Sequence, residues 1–168
     1  MSLSLYSVCV PVLIRQLEAL SVLLQKAEDQ AKTRGFDPEV LVTARLAPDM
    51  FPLAKQVQIA CDMAKGGASR LAGAEPPSHP DTETTLAQLR TRIATTVTLL
   101  QGLAPETFEG SPDRPMIIKL GGQDYPFTAQ TYLLGFVLPN VFFHTSTAYA
   151  ILRHNGIAIG KRDYLGGL

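Results

Sequence analysis

The sequence predicts an all-α protein: a four-helix bundle with a small β-hairpin inserted before the last helix. Three observations carry this reading. Apolar residues recur at helical spacing through four long segments. Glycine or an Asn-Gly pair closes each segment. A short β-prone run with its own glycine turn separates the third segment from the fourth. The chain has 168 residues, which fits one domain over 1–168.

The first helix is expected from about Ser4 to Thr33, with Gly35 as its stop. Tyr6, Cys9, Leu13, Leu17, Leu20, Leu24 and Ala27 fall on one stripe of it. Pro11 sits early enough to cost only a local bend. Gly35-Phe36-Asp37-Pro38 is a turn in which Asp37 caps a short helical piece. Val40, Leu41 and Leu46 should tuck this connector onto the bundle. The second helix is expected to start at Ala47-Pro48-Asp49 and run to Leu71, with a stripe of Leu53, Val57, Ala60, Ala64 and Leu71. Gly66-Gly67 weakens it by about 1 kcal/mol per glycine relative to alanine. Small residues there allow close approach by another helix or leave room for a ligand.

The third helix is expected from Asp81 to Leu100, with Leu86, Leu89, Ile93, Val97 and Leu100 inward. Met116–Leu120 and Tyr125–Phe127 can pair across Gly121-Gly122-Gln123-Asp124. Thr128 caps the fourth helix, Pro139 should kink it, and Asn155-Gly156 ends it. The apolar residues Ile157, Ile159, Tyr164 and Leu165 predict that the following segment folds back on the bundle.

Composition excludes several classes. Apolar residues make up 46% of the chain, enough for a core. Fifteen basic and fifteen acidic residues cancel, which argues against a nucleic-acid partner and against disorder. No run of 18 apolar residues occurs, so no membrane span is expected. Leu3–Leu13 lacks a basic flank and a cleavage site, and reads as the start of a helix. Cys9 and Cys61 are too few for a disulfide framework and read as core thiols of a cytoplasmic protein. Charged residues are only 18%, against roughly 25% in an average soluble protein. With Val12, Ala19, Val22 and Leu23 on the outer side of the first helix, this predicts a homodimer.

Chemistry concentrates on the fourth helix. Its inward stripe reads Leu133, Phe136, Val137, Asn140, His144, Thr147 and Ile151. Three polar side chains interrupt an apolar seam, so the seam is either a hydrogen-bonded core network or a lined cavity. Gln56, at the edge of the second helix's stripe, can approach them, whereas Gln58 should point to solvent with Lys55, Asp62 and Lys65. The Pro139 kink should free a carbonyl near Gly135 at the same level. Arg90 falls on the third helix's stripe and reads as a snorkelling side chain. His154 suits a helix C-terminus, and His79 a solvated loop. HExxH, ExxH and GxSxG motifs are absent.

The stretch Pro139-Asn140-Val141-Phe142-Phe143-His144-Thr145-Ser146-Thr147-Ala148-Tyr149, continuing to Gly156 and Ile159-Gly160-Lys161-Arg162-Asp163-Tyr164, resembles a bacterial domain-of-unknown-function family within the DinB/YfiT-like metalloenzymes. Met50-Phe51-Pro52-Leu53-Ala54-Lys55-Gln56-Val57-Gln58 resembles the second helix of that family. The resemblance implies a DinB-like bundle holding a divalent metal, zinc or nickel, on three histidines. One comes from the second helix and two from an HxxxH on the last. It also implies thiol-dependent isomerase or transferase chemistry in some members. By this likeness His144 takes the second HxxxH position, Asn140 replaces the first, and Gln56 stands nearest the second-helix ligand. Amides are poor zinc or nickel ligands beside imidazole.

The expectation is therefore a small-ligand-binding or structural bundle with a degenerate metal site and no cofactor. Its pocket would be lined by Gln56, Asn140, His144 and Thr147, with His144 the sole ligand if a metal binds. The alternative is a metal- or thiol-dependent enzyme of isomerase, transferase or hydrolase type that uses His144.

Overall fold

The computed structural model describes residues 4–110 and 112–167, so Leu3 of the first apolar segment lies outside the described residues. Helix α1 spans Leu5–Arg34. The Ser4 side chain caps it by accepting from the Ser7 amide, and Gly35 ends it with a φ of 74°. That left-handed conformation is one that L side chains avoid. Helix α2 spans Leu53–Leu71 and α3 spans Leu86–Gln101. Strands β1 (Pro115–Leu120) and β2 (Gln123–Thr128) form the hairpin, closed by Gly121-Gly122, both at positive φ. The expected fourth helix is built in three pieces: α4 (Ala129–Tyr132), a π-helical segment (Leu133–Val137) and α5 (Leu138–His154). A short α6 (Lys161–Tyr164) follows.

Two helices start later than the sequence suggested. Pro52, not the Ala47–Asp49 break, is the N-cap of α2. Thr85, not Asp81, caps α3, through a capping box with Gln88. Glu39 reinforces that start by accepting the Leu86 amide at 2.9 Å. Asp81 is drawn instead into ion pairs with Lys55 and Arg92.

Neighbouring helices run in the order α1, α3, α2, α5 around the bundle. Consecutive α1 and α2 are therefore diagonal, as are α3 and α5, which explains the long connections between them. The hairpin occupies the second crossover, where Phe127 joins Tyr132 and Phe136 in an aromatic cluster. The predicted stripes do meet: Leu17, Val57, Ile93 and Ile151 are buried in one core.

At Gly67 α2 and the π-helical segment approach closely. A β-carbon there would lie 2.4 Å from Val137 Cγ1. The small residues of α2 thus serve helix contact at this level rather than ligand space.

Helix α1 is long and apolar enough to cross a membrane by length and composition, yet Cys9, Leu13, Leu17, Leu20 and Leu24 are buried in the bundle. The outer row expected for a dimer is corrected. Ala19 and Leu23 are buried, leaving Val22 exposed and Val12 half-buried. The segment after Gly156 folds back as expected, and Gly166 lies over Ala19. It is held by Lys26–Asp163, by Arg15 donating to the Leu165 carbonyl, and by the buried Ile157 and Ile159. Of the three connector residues expected to tuck in, Leu41 is buried, beside Val42, while Val40 and Leu46 remain exposed.

Candidate functional site

Helix α2 carries Gln56 and α5 carries His144, and the two meet in the interior. The Gln56 Nε2 donates to the Phe51 carbonyl at 3.0 Å. That carbonyl only accepts, so it fixes the amide with Oε1 facing His144. The His144 Nδ1 lies 2.7 Å from this oxygen. An amide oxygen only accepts, so Nδ1 carries the proton and Nε2 keeps its lone pair. Nε2 has no hydrogen-bond partner among the described residues. Burial pushes the imidazole pKa down, favouring the neutral ring. One exposed aromatic ring, that of Phe143, stands against the imidazole. Phe143 meets the His144 ring edge-on at 5.2 Å, and Phe51 supplies the carbonyl that holds Gln56.

The other two predicted site residues do not join this pair by hydrogen bonds. Asn140 is half-buried and donates to the Phe136 carbonyl of its own helix at 2.7 Å. The helix accommodates Pro139 through the π-helical segment, and the carbonyl engaged by a side chain is that of Phe136 rather than Gly135. Thr147 is buried and donates to the Phe143 carbonyl at 2.8 Å. It faces inward, but its hydroxyl is satisfied within the helix.

Gln58 is buried, not solvated, and donates to Glu83 at 3.0 Å. His79 is half-buried, and its pKa is lowered first by burial and then by the charges of Lys65 and Arg92. Arg90 reaches Glu28 at 3.4 Å, while the buried guanidinium of α3 is that of Arg92. Arg92 pairs with Asp62, Asp81 and Glu83 at 2.9–3.0 Å and donates to the Pro80 carbonyl. A second buried polar group, Gln16 with Thr145, links α1 to α5 at 3.2 Å. Arg92, Gln16 and Thr145 all lie beside the single stripe assigned to each helix.

Burial raises the pKa of Cys9 and Cys61 to about 12, so both thiols stay protonated. Among the described residues no three His, Cys, Asp or Glu side chains converge on a metal position. The three-histidine centre implied by the resemblance does not fit this residue set. His144 alone offers an imidazole there, through Nε2, while the other two positions carry the neutral amides of Gln56 and Asn140, the latter turned to its own backbone.

The family model of the domain of unknown function DUF1993 matches residues 5–165. The chain belongs to the DUF1993 family. A crystal structure of a DinB family member protein from Shewanella denitrificans is 42% identical, with a TM-score of 0.90. The match covers 98% of this chain and 93% of that one. No curated protein matches the chain. The DUF1993 fold is thus a DinB-like helical bundle with a two-stranded hairpin, as the sequence implied.

Proposed function

We propose that this DUF1993 protein is a small-ligand-binding bundle in which a Gln56–His144 pair stands where the DinB-like resemblance implies a metal. The 2.7 Å contact between Nδ1 and the Gln56 oxygen carries this reading. It commits one ring nitrogen and leaves Nε2 as a neutral acceptor on a ring packed against Phe143. Such a site suits a small apolar molecule that donates one O–H or N–H. It binds without zinc or nickel, because one imidazole and two neutral amides make a poor divalent site. Asn140 and Thr147 line the seam around it without contacting the ligand.

The test uses protein purified without chelator or affinity tag. Elemental analysis should find zinc and nickel well below one per chain. Phenol, as an aromatic O–H donor, should shift the His144 ring resonances saturably, and His144→Ala should abolish the effect while the chain stays helical. Stoichiometric metal that disappears in His144→Ala would overturn the proposal and favour the enzyme.

The lowered imidazole pKa favours a second reading, in which His144 acts as a general base and Gln56 holds its tautomer. A His144 pKa above the ordinary histidine range, measured by NMR, would remove that support.

A further inference from the structure

A cleft of about 340 Å³ lies on the face of α5 opposite His144, between α1, α5 and the folded-back segment. Val12, Phe142 and Leu165 give it a mostly apolar wall. Its polar groups are few and placed by other contacts. Gln16 is nine-tenths buried and its Nε2 donates to Thr145, but its Oε1 has no partner among the described residues. The Tyr164 hydroxyl is shared with Ser146 at 2.9 Å. Arg15 stands at the lip. One of its nitrogens donates to the Leu165 carbonyl at 3.0 Å, and no described carboxylate lies within ion-pair distance of it.

We propose that this cleft binds a small apolar monocarboxylate. Its volume lies at the small end of the roughly 300–1,000 Å³ usual for ligand pockets. A neutral apolar guest would leave the guanidinium idle. A dianion would press its second charge against the apolar wall, where no counter-charge waits. One carboxylate on Arg15, with a short hydrocarbon body along Val12 and Phe142, satisfies both constraints. The acceptor at Gln16 Oε1 offers a further contact to a body bearing one N–H or O–H.

Calorimetric titration of the full chain with octanoate, and in parallel with octan-1-ol, tests this. Saturable octanoate binding is expected, at least tenfold tighter than that of the alcohol. Val12→Trp should fill the cleft and abolish binding. Arg15→Gln should erase the preference for the acid, and Arg15→Lys should keep part of it. His144→Ala should leave octanoate binding unchanged, because that residue faces α2. Thermal unfolding of each variant checks that the fold persists. The proposal is overturned by absence of saturable octanoate binding, by equal affinity for the alcohol, by unaltered binding in Val12→Trp, or by loss of binding in His144→Ala.

Discussion

His144 has one ring nitrogen committed and one free, and its fold-imposed neutrality has a consequence for pH. The unfolded imidazole titrates at about 6.5. Burial lowers the folded value, so between the two values the unfolded chain binds more protons. The stability contributed by the neutral ring is complete above the unfolded pKa and is lost as pH falls through the folded one. Urea unfolding of wild type and His144→Gln should show wild type losing its advantage below about pH 6.5. A difference independent of pH would contradict this. His144→Ala should cost about 1–3 kcal/mol, since it leaves the buried Gln56 oxygen without a donor. The pair was legible in part. Helical spacing turned His144 inward and brought Gln56 near it. Spacing could not show that Asn140 and Thr147 satisfy themselves on their own helix, because a side chain that bonds back to a carbonyl four residues earlier has the same position on the wheel.

At the scale of elements, α2 meets the π-helical segment with Gly67 against Val137. Alanine is favoured over glycine inside a helix by about 1 kcal/mol. Here its β-carbon would overlap Val137, so Gly67→Ala should destabilise by about 1–3 kcal/mol. Adding Val137→Ala should recover part of that loss. Additive costs in the double variant would show that the two do not meet. Arg92 ties the connector before α3 to α2. Removing a buried ion partner costs about 3–5 kcal/mol. Arg92→Met should fall at the low end of this range, because Asp62 and Asp81 are about one-third exposed and water can take over their charge, leaving the more buried Glu83 as the partner that loses most. Proteolysis within residues 74–85 should accelerate. Glycine stops located the ends of α1 and α3 well. Helix starts were harder to read, since Asp49 and Asp81 are good caps in isolation, whereas Pro52 and Thr85 do the capping. Arg92 escaped notice because α3 packs on both α1 and α2, which widens its buried arc beyond one stripe. Thr96, four residues later and also buried, was the available signal.

For the molecule as a whole, the ring order of the helices places α1 between α3 and α5, with the folded-back segment on its outer side. The row offered for a symmetry mate shrinks accordingly to Val12 and Val22. Standard interfaces bury roughly 800 Å² per partner, far more than two side chains supply. Light scattering should therefore give the same mass for Val22→Lys as for wild type. A lower mass in the variant would restore the dimer on this face. Deleting residues 157–168 removes Ile157 and Ile159 from the core and should cost well over the roughly 0.5 kcal/mol of a surface change. An unaltered melting temperature would contradict that.

The Arg15–Leu165 contact joins positions 150 residues apart. During vectorial synthesis α1 emerges ahead of the folded-back segment, and its flank at Ala19 stays bare until residues beyond 160 have been made. Closing so long a loop is slow relative to forming a local helix contact. The nascent bundle thus has an unsealed seam for most of its time on the ribosome. The seam closes when Asp163 reaches Lys26.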